Sequence, residues 1–324
     1  MRNKKSHKKF LLLLLSNLII LLLIGVLVEG CLRFFGIPFK GKESPSENAI
    51  AQFSEVFGWT YIPNISKTLK YGEHIRNVYF DKNGIRVPYP EFQFDHRRPS
   101  VLFIGGSYTM GHGLSYEESF IGQFGALNGV PYQMVNLGVQ GYGSDQSFLA
   151  LKKYLKKFNQ KVVFYTFNSN HIRRNGNYDR RVLVPNSRFL GTKPLFALNR
   201  EKKLYLAKKP LLYKDYIHSY LIDLLKIRVG NRLGVFPPYP EELTKAIIRE
   251  MNKYCIENEV HFVMLNWSHY NNFKDLNIEI IDTTENAPSD WDHMTIPGDG
   301  HPNAKASGYV AQMLFQYFQR KNLL

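Results

Sequence analysis

Short stretches spread along the chain carry the residue types that acyl transfer needs. Ser107 follows four apolar residues and two glycines, a pattern typical of a buried strand that ends in a tight turn. A serine hydroxyl on such a turn is a candidate nucleophile, although the same position also suits the N-cap of a helix. The imidazole of His301 would accept the serine proton and later return it. Asp299 would orient that ring and stabilise its charged form.

The tetrahedral intermediate of acyl transfer needs hydrogen-bond donors for its oxyanion. The candidates are the Ser107 N–H, the Gly141 N–H and the side-chain amide of Asn170. A glycine suits position 141 because the substrate must come close to the backbone there. His171 follows Asn170 directly, so it is a candidate for binding substrate, and a structural role fits its position equally well.

The order of the predicted elements places these residues in loops at one edge of a parallel sheet. Short apolar strands alternate with helices, which is typical of an α/β fold with helices on both faces of the sheet. Open sheets of this kind keep their sites at the carboxyl ends of the strands. We predict strands over 101–104, 132–136, 161–167, 260–266 and 279–282, and helices over 117–127, 144–158, 240–258 and 303–319.

The amino-terminal region predicts a membrane anchor. Residues 1–9 form a basic flank, and 10–28 form an apolar run close to the ~20 residues that a spanning helix needs. The run is longer than the core of a signal peptide and lacks a small-residue cleavage site, so we expect an uncleaved transmembrane helix over 10–30. The positive flank would stay in the cytoplasm. The main domain would then be extracytoplasmic, either periplasmic or on the outer surface.

Composition and charge narrow the remaining choices. The net charge is +15, which favours anionic partners such as lipid headgroups or acidic glycans. No zinc-finger spacing, RNA-binding motif or basic helix with heptads is present, so we expect no nucleic-acid partner. The two cysteines form neither a disulfide framework nor a metal motif. The glycine-rich stretch lacks the Lys-Ser/Thr of a phosphate loop, and we predict no metal and no cofactor.

Between the anchor and the main domain, 31–99 is interpreted as a linker and a small extension. Mixed Gly, Pro, Ser and Lys residues are typical of a linker, for example over 41–46. An Asn-Gly pair between strand-like runs predicts a hairpin within 57–97, a segment expected to pack against the main domain. The main domain then covers 100–324. It is interrupted at about 172–236 by an irregular insertion that we expect to contain one or two helices near 212–229.

Over roughly residues 100–320 the chain resembles the SGNH subgroup of the GDSL esterase/lipase family. That family has four blocks that hold Ser, Gly, Asn and His in this order. The resemblance implies a three-layer, flavodoxin-like α/β sandwich with a central, mostly parallel sheet. It also implies the catalytic and oxyanion roles given above for these residues. The matching blocks are Gly105–Thr109, Asn136–Gly141, Asn168–His171 and Asp299–Asn303.

The chain departs from the family pattern in three places. Gly106 stands where the first block has aspartate, which puts the local hydrogen bonding around Ser107 in question. Asn168 and His171 take the outer positions of the third block, which usually reads Gly-x-Asn-Asp. The last block has Asp-x-His instead of Asp-x-x-His. Asp299 is therefore the preferred acid, with Asp292 as a second candidate.

These observations predict a membrane-anchored serine hydrolase that acts on ester bonds of an envelope glycan or lipid. Water as acceptor would make it an esterase or deacetylase, whereas a sugar hydroxyl would make it an O-acyltransferase. The alternative is a non-catalytic binding or assembly factor of the cell envelope that kept the fold. The loss of the block-one aspartate and the shortened last block favour that alternative, and the retained Ser107, Asn170 and His301 oppose it.

Overall fold

The structure is a computed structural model, and it describes residues 2–39, 49–71, 74–185, 187, 189–230, 232–234, 240–270, 272–285 and 287–324. The predicted linker stretch 41–46 lies outside these residues. The strands are β1 (Ala51–Ser54), β2 (Gly58–Tyr61), β3 (Ser66–Tyr71), β4 (His74–Phe80), β5 (Arg86–Val87), β6 (Pro99–Gly105), β7 (Gln133–Gly138), β8 (Asn159–Phe167), β9 (Leu195–Leu198), β10 (Leu204–Lys208), β11 (His261–Asn266) and β12 (Glu279–Asp282).

Eight of these strands form one sheet in the order β12-β11-β8-β6-β7-β5-β4-β3. The five strands from β12 to β7 are parallel, and β5, β4 and β3 add an antiparallel extension. The central strand β6 carries the turn that holds Ser107. The predicted α/β class with a mostly parallel sheet is confirmed.

Helices cover both faces of this sheet, so the domain has three layers. Leu102 and Ile104 of β6 pack on one face beneath the helices 144–154 (α4) and 241–256 (α7). Val101 and Phe103 pack on the other face beneath the helices 120–125 (α3) and 304–320 (α8). Successive side chains of a strand point to opposite faces, and a strand covered on both faces is therefore apolar throughout. The helices are α1 (Arg2–Phe35), α2 (Ser107–Met110), α3 (Phe120–Gly125), α4 (Ser144–Tyr154), α5 (Asn170–Asn175), α6 (Tyr220–Leu225), α7 (Glu241–Ile256) and α8 (Ala304–Arg320).

The segment expected to form a small extension is joined to the main sheet. Strand β5 pairs with β7 through Arg86 and Asn136, so β3, β4 and β5 continue the sheet. The end of the predicted linker also folds, because β1 and β2 form a hairpin. Trp59 of that hairpin is buried and stacks on Phe189 of the insertion, with ring centroids 4.3 Å apart.

The insertion holds more regular structure than the sequence predicts. It begins with α5 and continues through a short 3₁₀ turn, Arg180–Val182, into the hairpin β9–β10. Helix α6 follows, and the π-helical turn Lys226–Gly230 continues it. The hairpin was not expected, because its short strands lie in a stretch rich in Arg, Lys and Tyr that shows no clear alternation.

Helix α1 is the one helix in the described residues that is long and apolar enough to cross a membrane. The candidate span is His7–Phe35; its most apolar 18-residue window has a mean hydropathy of 3.1, and none of that window is buried inside the protein. Its last turns contact α6, where the Glu29 carboxylate accepts hydrogen bonds from the backbone N–H groups of Tyr220 and Leu221. The apolar helix and the insertion are therefore joined directly.

Candidate active site

The turn after β6 presents the Ser107 hydroxyl to a histidine. Gly105 has φ +154°, and a side chain there would collide with Thr109 and the Thr166 carbonyl. Gly106 is the N-cap of α2, so Ser107 is the first residue of the helix. The Ser107 side chain is nearly buried, and its Oγ lies 2.8 Å from Nε2 of His301. Ser107 therefore does not act as the N-cap.

His301 and Asp299 lie in a tight loop just before α8. The loop is closed by a 2.7 Å hydrogen bond from the Ile296 N–H to the His301 carbonyl. Oδ1 of Asp299 bonds Nδ1 of His301 and also accepts the His301 backbone N–H at 3.2 Å. With the Asp-x-His spacing, the turn still brings the Asp299 carboxylate into contact with the His301 ring, two residues later. Asn303 then caps α8 by accepting the N–H groups of Lys305 and Ala306.

A second histidine holds the other oxygen of the same carboxylate. Nε2 of His112 lies 3.3 Å from Oδ2 of Asp299, and Nδ1 of His112 lies 2.9 Å from the side-chain nitrogen of Gln140. Since the Gln140 amide donates to Nδ1, the ring proton of His112 is on Nε2 and points at Asp299. Asp299 thus receives a hydrogen bond from an imidazole on each side.

These contacts set the protonation states of the acid and the base. Burial opposes ionisation of Asp299, but the hydrogen bonds from His112 and His301 outweigh it and hold the pKa of that carboxyl well below its usual range. Burial lowers the pKa of His301, the hydrogen bond with Asp299 opposes this, and the electrostatic interaction with the neighbouring His112 ring adds to the lowering. At neutral pH His301 is therefore an uncharged ring able to accept the Ser107 proton.

The loops predicted to hold the oxyanion lie beside the nucleophile turn. The Val139 N–H donates to the Gly105 carbonyl at 3.1 Å, which joins the loop after β7 to the loop after β6. Gly141 has φ +80°, and a Cβ built on it would lie 2.9 Å from Cζ of Arg180. Glycine is required at 141 on both counts. Asn170 opens α5, and its side chain is exposed.

His171 does not lie where a substrate could touch it, which corrects the substrate-binding role expected for it. Its ring is fully buried, and Nδ1 bonds the Tyr165 hydroxyl at 2.8 Å. Burial lowers the pKa of His171 well below the usual value, and the nearby Arg174 charge adds to this. The ring is therefore neutral, and it packs behind the nucleophile turn.

The same packing gives a physical reason for the glycine at 106. A Cβ built on Gly106 would lie 3.2 Å from Nε2 of His171, 3.2 Å from Nη1 of Arg174 and 3.3 Å from the Tyr142 carbonyl. Nη1 of Arg174 itself donates to that carbonyl at 2.9 Å. The space that the family fills with an aspartate side chain is occupied here by an imidazole and a guanidinium.

The second acid candidate lies elsewhere. Asp292 is highly exposed and sits 3.7 Å from the exposed ring of His269. Two groups in the described residues bring three possible metal ligands within 4.8 Å of one another, namely His112–Asp299–His301 and Asp179–His218–Asp223. In the first, each ring nitrogen already has a hydrogen-bond partner. In the second, the Arg181 guanidinium contacts Asp179 and His218, so a positively charged side chain already lies against this group.

The chain is similar to several solved protein structures. No protein-family model and no curated protein matches the chain. A member of the lipolytic protein G-D-S-L family from Veillonella parvula DSM 2008 is 11% identical with a TM-score of 0.35, covering 68% of this chain and 99% of that one. The psychrotrophic esterase EstA from Pseudoalteromonas sp. is 11% identical with a TM-score of 0.42, covering 71% and 100%.

A GDSL-like lipase from Bacteroides thetaiotaomicron VPI-5482 is 12% identical with a TM-score of 0.36, and the match covers 69% of this chain and 89% of that one. At identities this low, the activity has to be inferred from the geometry of the site itself.

Proposed function

We propose that the chain is a membrane-anchored SGNH-type serine hydrolase that acts on ester bonds, with Ser107 as nucleophile. The observation that carries the proposal is the continuous hydrogen-bonded series from Ser107 Oγ through His301 to Asp299. A nucleophile, a base within hydrogen-bond reach and a third group that orients the base form the arrangement that activates a serine.

The proposed reaction has two halves. Ser107 Oγ attacks the ester carbonyl carbon while Nε2 of His301 takes the hydroxyl proton. The oxyanion of the tetrahedral intermediate is held by the Ser107 and Gly141 N–H groups and the Asn170 amide. The bond to the alcohol then breaks as His301 returns the proton to the departing oxygen, which leaves an acyl group on Ser107. Water, or an acceptor hydroxyl, attacks that acyl group by the reverse steps.

The amino-terminal helix supports a location at the membrane. Its basic flank favours a cytoplasmic position for residues 1–9 under the positive-inside tendency, and the α/β domain would then lie on the other side. Anchoring and the net charge of +15 favour an ester-bearing glycan or lipid of the cell envelope as substrate. The location is tested on intact cells carrying Glu257→Cys, an exposed position, since an impermeant thiol reagent labels it only if the domain is extracytoplasmic.

The activity is tested by p-nitrophenyl acetate hydrolysis with the full-length chain in detergent. We expect Ser107→Ala and His301→Ala each to lower kcat by up to about 10⁶-fold, because removal of either member of such a series stops activation of the nucleophile. The matched controls are Ser66→Ala and His269→Ala, which change an exposed serine and an exposed histidine. Both controls should keep the rate of the unmodified chain.

A phosphonate probe separates the remaining alternatives. Labelling of Ser107, found by mass spectrometry and lost in His301→Ala, shows an activated nucleophile even if water is a poor acceptor. Labelling without hydrolysis would indicate an acyltransferase. A chain that is neither labelled nor active, with both variants indistinguishable from it, would contradict the proposal and leave a binding protein.

A further inference from the structure

The apolar helix α1 and the insertion are fastened together by one carboxylate. Both oxygens of Glu29 accept hydrogen bonds from the start of α6, at 2.9 Å from the Ser219 hydroxyl and from the N–H groups of Tyr220 and Leu221. These N–H groups belong to a helix start and have no partner within the helix. Arg33 bonds Glu29 at 2.7 Å and lies over the Tyr220 ring, 4.8 Å from its centroid. The start of α6 is thereby fixed against α1.

This fastening lies where α1 would leave a bilayer. The apolar run ends at Val28, so Glu29 is the first charged residue after it. Residues 10–24 are exposed on every side of the helix, whereas 25, 28, 29, 32 and 36 form a face that is partly covered. Phe34 and Phe35 follow and are exposed, as apolar residues next to the end of the span. The segment that begins with α6 is therefore at the level of the lipid–water boundary.

The segment itself carries a row of exposed apolar side chains. Ile222 and Leu225 lie in α6, Val229 lies in the π-helical turn that continues it, and Leu233 lies in the turn beyond. Exposed apolar side chains in contiguous rows mark surfaces that are covered in the working protein. The row consists of Ile217, Ile222, Leu225, Val229 and Leu233, which are between 47% and 96% exposed.

The charges on the segment match a membrane surface. Lys226, Arg228 and Arg232 lie among the apolar positions, and Arg228 and Arg232 are exposed. The acid in this stretch, Asp223, is buried; it bonds the His218 ring at 2.6 Å and pairs with Lys226 at 3.5 Å. Arg228 and Arg232 are the exposed cations of the segment. Apolar residues next to Lys and Arg are the composition of helices that lie in the plane of an anionic interface.

We propose that residues 217–230 and 232–233 lie in the membrane interface beside α1, as a second contact of the domain with the bilayer. The apolar row enters the boundary between headgroups and acyl chains, and the basic residues meet anionic headgroups. The proposal rests on the membrane span assigned to α1 above. It does not depend on the esterase activity, which concerns a different part of the chain.

The test uses the full-length chain in vesicles of phosphatidylcholine with one quarter phosphatidylglycerol. In a Cys31→Ser background, an environment-sensitive fluorophore is attached at Ile222→Cys or Leu225→Cys. We expect emission at shorter wavelength, and a loss of emission when the lipids carry a nitroxide near the headgroup. The label at position 21 is tested with a nitroxide on the acyl chain, because this position lies near the middle of the apolar run. Glu257→Cys, at the exposed end of α7, is the water control, and Leu21→Cys is the control inside the span.

The outcomes separate this proposal from the anchor on which it rests. A quenched label at 21 with unquenched labels at 222 and 225 would overturn the interface contact and keep the span. An unquenched label at 21 would overturn both. The emission of the labels at 222 and 225 could instead move to shorter wavelength only when the protein concentration is raised, without quenching by the lipid nitroxide. That result would overturn the membrane contact and assign the surface to a protein partner. Arg228→Gln combined with Arg232→Gln should weaken the quenching at 222 only where phosphatidylglycerol is present.

Discussion

The nucleophile turn and the acid–base loop of the candidate site are held in place by different means. Ser107 sits on a turn whose glycines are closely surrounded by side chains and backbone, and Gly138 lies so close to α2 that a Cβ there would be 2.6 Å from Cβ of Thr109. The loop of Asp299 and His301 is instead partly exposed, and Gly298 and Gly300 have nothing within 4 Å of an added Cβ. One half is fixed by close packing, and the other by its own hydrogen bonds.

The difference explains why the two halves differ so much in how far they tolerate change. A packed turn accepts no added atom because its neighbours are backbone that cannot move independently. A hydrogen-bonded loop accepts new side chains on its outer surface, but it depends strongly on a few polar atoms. The largest effects are therefore expected where a polar atom of the loop is changed, and the next largest where an atom is added to the turn.

Among the changes that leave Ser107 and His301 in place, Asp299→Asn should have the largest effect on catalysis. The amide leaves the shape of the loop nearly intact but no longer stabilises the charged His301 ring or fixes its tautomer. We expect kcat on an activated ester to fall by about 10⁴-fold, a loss of ~5.5 kcal/mol of transition-state stabilisation. Asp292→Asn is the matched control and should have no effect. Equal losses in both variants would mean that Asp299 is not the acid of this site.

Gly138→Ala should have the next largest effect, and it should appear in folding. The added methyl group meets the backbone of α2 at Thr109 and Met110, so the helix that carries Ser107 has to shift. We expect the free energy of unfolding, measured with urea, to fall by ~1–3 kcal/mol. Gly300→Asn is the comparison in the loop, because asparagine tolerates a positive φ and the space is open. A change above ~0.5 kcal/mol there would show that the loop is packed after all.

His112→Leu should have a smaller effect, because it removes only the second hydrogen bond to Asp299. Hydrogen bonds to charged groups contribute ~1.5–3 kcal/mol, so we expect kcat to fall by about tenfold or somewhat more. His112 acts through Asp299, and KM should therefore stay nearly constant. His112→Gln keeps a donor and should recover part of the rate. A rise in KM with unchanged kcat would instead place His112 in contact with substrate.

The pH dependence should show the smallest effect, a shift in one limb of the profile. His301 has to be neutral to accept the Ser107 proton, and burial lowers its pKa below the usual value of 6.5. Activity should therefore be lost as pH falls through a midpoint below 6.5, and be constant above it up to the next titration. In His112→Gln the midpoint should rise, because the electrostatic interaction with the His112 ring, which lowers the pKa of His301, is removed. An unchanged midpoint would contradict the coupling of the two rings.

The sequence predicts the parts of the site that depend on local backbone constraints. Each of the predicted parallel strands is present within a few residues of its expected bounds, because an apolar run closed by glycine or asparagine marks its end. The pairing of Ser107 with His301 follows from the order of the blocks. In the sequence, the short Asp-x-His spacing favours a non-catalytic protein, because the residue types do not show that a turn brings Asp299 back onto His301.

Other features depend on contacts between distant parts of the chain and have no local signal. His112 and Asp299 are 187 residues apart, and neither neighbourhood indicates that they meet. Arg180 reaches Gly141 from the insertion, where the sequence predicts irregular structure with one or two helices near 212–229. Strand β5 consists of two residues, so the pattern of the sequence could not show that it joins the extension to the central sheet.

The Glu29 contact also has a consequence for how the domain is presented. A domain on a flexible tether samples all orientations, and only a fraction of them turn the catalytic edge of the sheet toward a given target. The Glu29 carboxylate accepts three hydrogen bonds from the start of α6, and the Arg33 guanidinium lies over the Tyr220 ring. These contacts remove much of that rotational freedom at the point where the tether meets the domain. In a chain anchored as we propose, Ser107 is held at a fixed height above the membrane and in a fixed orientation to it. The site would then reach targets that lie in a layer parallel to the membrane.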